Sequence, residues 1–227
     1  MSGALRIAVV GAESTGKTTL AAALAAALAQ DGRRRVAWVP EVLREWCARA
    51  GRTPAAHEQA AIARAQHARI EEAAAAHEIV VSDTTALMTA VYSRIVFGDR
   101  SLDAMAVELH RTVHATLLTA LDLPWVPDGL QRDGPQVQRP VDDALRELLR
   151  VHRLPYSVVG GTGNARLAQA LAAVARLAAQ GPGDAPGAPA PRRGLFTALG
   201  VDEAAARRRW RCECCVPEAE QALMRRR

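Results

Sequence analysis

Gly11, Gly16, Lys17 and Thr18 stand in the stretch "GAESTGKTTL" at the spacing G-x-x-x-x-G-K-T. Each residue type answers a need of polyphosphate chemistry. Backbone N–H groups of such a loop, and of the helix it opens, face an anion. Glycine allows the tight path and the close approach. An ammonium reaches the β- and γ-phosphates as a compact point charge, where a planar guanidinium fits poorly. A Thr hydroxyl after the lysine is placed to ligate Mg²⁺. Lys17 is the only lysine in a chain with 29 Lys and Arg, so Arg has replaced Lys wherever charge alone sufficed. Ser14, Thr15 and Thr19 complete the loop, and the expected cofactors are ATP and Mg²⁺.

Other residues offer the remaining chemistry. Asp83 ends the apolar run "IVVSD", an arrangement in which the carboxylate holds Mg²⁺ or caps a helix. Glu41, in "VPEVLREW", suits a general base that takes the proton of an acceptor hydroxyl; it equally suits a first-turn carboxylate favoured by the helix dipole. Arg44, one turn on, can hold a phosphate or a substrate hydroxyl, or lie on the surface. Trp125 and Asp128, in "LPWVPDGL", can stack on a flat heterocycle and accept hydrogen bonds from ribose. Arg132 and Arg139 flank "DGPQVQ", the kind of loop whose arginines close over phosphates. Gly163, Asn164 and Arg166 lie in "VVGGTGNAR", whose glycines permit close approach to a base.

These residues need elements to hold them. The β-branched runs "RIAVVG", "RVAWVP", "EIVVSD", "ATLLTALD" and "YSVVGG" predict five strands. Helical stretches separate them, the longest being Ala-rich. Strand–helix alternation predicts an α/β fold with a parallel sheet covered by helices on both faces. Residues 123–140 carry Pro, Gly and charge without a period and read as an ordered loop or lid. The expected organisation is a kinase-sized domain over 1–180, a Pro/Gly/Ala linker over 181–194 and a tail over 195–227.

The composition, 49% hydrophobic and 23% charged with a net charge of +5, is that of a soluble globular protein. Arginine runs such as 33–35 and 207–209 can touch nucleic acid, but no aromatic platform or nucleic-acid motif accompanies them, so nucleic acid is disfavoured as a partner. No signal peptide and no apolar stretch of about 18 residues is evident, which points to a reduced, cytoplasmic protein without a membrane partner. Cys212, Cys214 and Cys215 cluster in the tail, where a packed helix, structural zinc or a redox role all remain open.

"GAESTGKTTL", "PEVLRE", "SDTTALMT", "LDLPWVPDGLQRDG" and "GGTGNAR" together resemble the ribosylnicotinamide kinase family over residues 5–180. The resemblance implies a P-loop sheet of strand order 2-3-1-4-5. It also implies Mg-ATP as phosphoryl donor and the 5′-hydroxyl of nicotinamide riboside as acceptor. Lys17 and Thr18 would serve phosphates and Mg²⁺, Asp83 the metal or acceptor, Trp125 the pyridine ring, and Arg132 and Arg139 a lid. Whether Glu41 or Asp83 is the base stays open. The chain departs from the family at Thr85, where an acid is usual, and at Trp46, where Tyr is usual. A kinase for another nucleoside, or an ATP-binding regulatory module, are the other readings.

Overall fold

A computed structural model describes residues 3–30, 32–126 and 134–178. The chain divides into two units, Met1–Ala185 and Pro186–Arg227, and all described residues fall in the first. Asp128, Arg132, the 181–194 linker and the tail cysteines lie outside the described residues.

Strands β1 (Leu5–Val10), β2 (Val36–Val39), β3 (Ile79–Asp83), β4 (Ala115–Thr119) and β5 (Ser157–Val159) form one sheet. Its order is β2-β3-β1-β4-β5 with every pairing parallel, as expected from the sequence. The helices are α1 (Lys17–Ala29), α2 (Val42–Ala50), α3 (Gln59–Ala76), α4 (Ala86–Phe97), α5 (Asp103–His110), α6 (Gln138–Val151) and α7 (Gly163–Ala178).

Successive residues of a strand face opposite sides, and that period sorts the core. Ile7 and Val9 of β1 pack with Leu20, Leu24, Ala170 and Val174, so α1 and α7 cover one face. Ala8 and Val10 pack with Leu87, Val91, Val107 and Leu145, so α4, α5 and α6 cover the other. The two strands that flank the central β1, β3 and β4, are buried at every position, as expected where helices cover both faces of a parallel sheet. Truncating a fully buried residue such as Leu24 or Leu145 to Ala costs about 2–5 kcal/mol.

One expectation needs correction. Residues 123–140 are not all loop: a 3-10 turn over Pro135–Val137 leads directly into α6, which starts at Gln138. Proline is tolerated there because the first N–H groups of a helix have no intrahelical partner. Arg139 therefore sits in a helical first turn, exposed.

Helix α4 begins at a buried polar chain. Thr85 is its N-cap and accepts from the Leu87 N–H at 3.3 Å. The Thr85 hydroxyl lies 2.9 Å from His110 Nδ1, and His110 Nε2 lies 2.8 Å from the Thr116 hydroxyl. A neutral imidazole offers one donor and one acceptor, which two hydroxyls can serve. Burial pushes the His110 pKa down to about 3, against about 6.5 in an unfolded chain. The folded state thus resists a proton that the unfolded state accepts. This stabilisation is complete above about pH 6.5 and is lost as the pH falls below it, by about 1.4 kcal/mol per pH unit. Between pH 7 and pH 5 wild type should lose about 2 kcal/mol more than His110→Gln, measured by urea denaturation. Equal losses in the two proteins would refute a neutral buried His110.

Candidate functional site

The residues singled out in the sequence gather at the carboxyl ends of the strands, where open α/β sheets bind ligands. The chain leaves β1 at Gly11 with φ 149°, and a Cβ added there would overlap the Thr119 hydroxyl at the end of β4. Glycine is therefore required. Thr119 Oγ1 lies 2.6 Å from the Thr15 hydroxyl and 3.3 Å from the Val10 carbonyl, and the Thr15 hydroxyl donates to the Ala12 carbonyl at 2.7 Å. The side chain of Thr15 is thus part of the loop's scaffold, leaving its main chain to face a ligand.

Gly16 is the N-cap of α1 at φ 71°. No side chain caps α1 and no acid stands in its first turn. Its first N–H groups remain available to an anion. Buried Lys17 donates from Nζ to the Ala12 carbonyl at 2.9 Å, which keeps the ammonium folded over the loop.

Thr18 and Asp83 meet: the Thr18 hydroxyl donates to Asp83 Oδ2 at 2.5 Å. The second carboxylate oxygen, Oδ1, is buried without a partner among the described residues. An orphaned carboxylate oxygen beside a hydroxyl suits a hard cation such as Mg²⁺, which takes few protein oxygens and completes its shell with phosphate and water. Among the described residues there is no group of three or more His, Cys, Asp or Glu that could hold a metal ion.

Two of the residues singled out in the sequence, Ser14 and Arg166, also brace the loop. The Ser14 hydroxyl donates to the Val126 carbonyl at 3.0 Å and accepts from the Val126 N–H at 2.7 Å, which brings partly buried Trp125 next to the phosphate loop. Buried Arg166 donates to the Thr15 carbonyl at 2.6 Å and to the Gly161 carbonyl at 3.4 Å. Burial lowers its pKa, and Asp122 opposes that shift. Arg166 also walls a cavity of about 310 Å³ together with Gly16, Thr19, Leu123, Gly163 and Asn164. A flat base attached to phosphates on the loop would find that space within reach. The loop is braced a third time by Gln138, whose amide donates to the Glu13 carbonyl at 2.7 Å.

Glu41 stands on the other side of Asp83. It is buried and extended (φ −70°, ψ 115°) as the N-cap of α2, and its side chain makes no capping bond. Arg44 Nε approaches its carboxylate at 3.7 Å. Tyr92 of α4 faces the same space: burial, then the carboxylates of Glu41, Glu13 and Asp83, push its phenol well above the ordinary value, with Arg44 opposing. Tyr92 and Trp46 pack on Val42, Leu43, Cys47 and Ile62. Arg52 stacks 4.9 Å above Trp46 while holding Glu58 at 2.7 and 2.8 Å. Sequence reading missed Glu13 and Tyr92. Glu13 lies inside the loop motif at an unspecified position, and Tyr92 is one of two tyrosines in the chain. Only the fold turns it toward Asp83. Arg139 is not brought against the loop by any contact among the described residues.

A family model described as an AAA domain matches residues 6–166. Comparison with curated proteins gives no match. Among solved structures, a NadR protein in complex with NAD and AMP-PNP is similar at TM-score 0.62 and 18% identity, covering 78% of this chain and 50% of that one. A NadR protein in complex with NR is similar at TM-score 0.64 and 18% identity, covering 77% and 51%. The chain thus spans about half the length of the NadR chains it matches. A thymidylate kinase from Ehrlichia chaffeensis is similar at TM-score 0.53 and 16% identity, covering 78% of this chain and 99% of that one. The resemblance drawn from the motifs holds at the level of the fold.

The Gly11–Thr119 approach is open to test. Gly11→Ala combines overpacking with a backbone conformation that alanine resists, and should lower stability by about 1–3 kcal/mol. Adding Thr119→Ala should recover part of the loss by removing the overlapping hydroxyl. An unchanged denaturation midpoint in Gly11→Ala would refute the close approach.

Proposed function

We propose that this chain, which belongs to the AAA domain family, transfers the terminal phosphoryl group of Mg-ATP to the 5′-hydroxyl of a nucleoside-like small molecule. The acceptor favoured by its motifs is nicotinamide riboside, giving nicotinamide mononucleotide. One observation carries the reading: an uncapped helix start with Lys17, and the Thr18–Asp83 pair with its orphaned oxygen, stand beside a second carboxylate, Glu41, that its own helix does not use. The first group suits a nucleoside triphosphate, and the second suits a hydroxyl acceptor. Similarity of fold to NadR chains solved with AMP-PNP and with NR supports the same assignment.

The roles follow from position. The loop N–H groups and Lys17 bind the β- and γ-phosphates. Thr18 and Asp83 hold Mg²⁺, which when bound draws charge from the phosphate oxygens. Because Asp83 is engaged with Thr18, the general base is assigned to Glu41. The acceptor oxygen attacks the γ-phosphorus, the bond to the β-phosphate oxygen breaks, and the hydroxyl proton passes to the Glu41 carboxylate. ADP and the phosphorylated acceptor leave. Arg44 steadies Glu41 or the acceptor hydroxyls and Trp125 contacts the acceptor; on the motif resemblance alone, Asp128 joins that contact and Arg132 and Arg139 offset charge on the transferred group. Gly163, Asn164 and Arg166 wall the place of the donor base.

At Thr85, where the resembling family usually has an acid, the hydroxyl caps α4 and meets His110, and the Thr18–Asp83 pair forms beside it.

Purified protein should convert nicotinamide riboside and Mg-ATP to the mononucleotide, followed by mass spectrometry against a panel of nucleosides. Lys17→Ala should lower the rate by about 10²–10³-fold, and Glu41→Gln by about 10²–10⁴-fold, with both variants folded. Transfer to another nucleoside alone would move the acceptor. ADP release without any phosphorylated acceptor would replace the kinase reading with an ATPase one.

A further inference from the structure

Glu41 is held from both sides by one buried residue that the sequence did not single out. Gln66 lies in the middle of α3, on the face that also buries Ile62, Ala63 and Ile70. Its amide spans the turn between β2 and α2. Oε1 accepts from the Val42 N–H at 2.7 Å, and Nε2 donates to the Pro40 carbonyl at 3.3 Å. Pro40 and Val42 are the two neighbours of Glu41 in the chain, so the amide brackets that one residue.

Both partners are groups the local backbone cannot satisfy alone. The Val42 N–H is the first of α2, which has no intrahelical acceptor. An N-cap side chain serves the N–H groups of the second or third helical residue, not this one, and the Glu41 carboxylate makes no capping bond. The Gln66 carbonyl takes the Val42 N–H. Proline has a fixed φ and no N–H, so binding the Pro40 carbonyl fixes the approach to Glu41 as well. A buried amide amid apolar neighbours is costly unless both of its ends are paired. Here both ends are used on either side of a carboxylate that points into the cleft beside Tyr92 and Arg44.

We propose that Gln66 is the positioning residue for Glu41: by pairing with the first N–H of α2 and with the Pro40 carbonyl it locks the turn that presents the carboxylate to the acceptor. This rests on the reading of Glu41 as the general base. It also goes beyond it, since it separates the residue that acts from the one that holds it.

The test uses the full chain with Gln66→Leu and Gln66→Glu. Leucine keeps the bulk and loses both hydrogen bonds. Glutamate keeps an acceptor for Val42 and loses the donor to Pro40. In Gln66→Leu the amide hydrogens of residues 41–43 should exchange at least about tenfold faster, while those of the phosphate loop exchange as in wild type. kcat for acceptor phosphorylation should fall by about 10- to 100-fold, since a small misplacement of a reacting group suffices for that. The Kd for Mg-ATP should stay within about twofold, and the limb of the pH–rate profile that Glu41→Gln removes should shift. Gln66→Glu should recover part of the rate. Unchanged exchange at 41–43, or a loss of Mg-ATP affinity in step with kcat, would overturn the assignment. Should wild type transfer no phosphoryl group, the kinase reading falls, and the exchange comparison still decides whether Gln66 locks the turn. Should Gln66→Leu fail to fold, Gln66→Glu carries the same readouts with smaller expected changes.

Discussion

The phosphate loop can close only because Gly11 lets the backbone pass against the Thr119 hydroxyl. From that contact the rest of the site takes its shape. Thr119 meets Thr15, Thr15 meets the Ala12 carbonyl, and the Ala12 carbonyl receives the Lys17 ammonium. A single residue in a conformation open mainly to glycine thus tightens the loop against β4 and presents the start of α1 to an anion. The same bend sets Thr18 facing β3, where Asp83 meets it. Phosphate nest and metal pair are two results of one turn.

Around this turn the polar side chains divide into those used up by the fold and those left over. Ser14, Thr15, Arg166 and Gln138 spend their hydrogen bonds on loop backbone or on segments next to it. Thr85 spends its own on α4 and His110. At the Thr18–Asp83 pair, one carboxylate oxygen of Asp83 is left buried without a partner among the described residues. Buried polar groups are ordinarily paired, so that oxygen suits a ligand. Burial first, and then the carboxylates of Glu41, Glu13 and Asp83, push the Tyr92 phenol up, with Arg44 opposing.

Much of this was legible in the sequence, for reasons that can be traced. Each strand was visible as a β-branched run, and β3 and β4 are buried throughout because both faces of the sheet are covered. The loop was visible because its glycines and its lysine have no substitutes. Asp83 was visible because it ends a buried strand. What escaped was which partners the residues find far along the chain. Gln66, never singled out, touches a turn 24 residues away, and Arg166, singled out for the base, reaches a loop carbonyl 151 residues away. No local pattern shows such pairings. The start of α6 escaped for another cause: Pro140 reads as a break, yet in a first helical turn it removes nothing the helix needs.

Arg166 couples matters that are usually considered apart. One guanidinium grips the phosphate-loop backbone at Thr15 and walls the cavity beside Gly16. Evolutionary drift at this position is therefore penalised twice, since any change that reshapes the cavity also slackens the nest. Reshaping the cavity has an easier route through Asn164 or Leu167, which line it from α7. Divergence among chains built on this frame should accumulate there, while position 166 stays still.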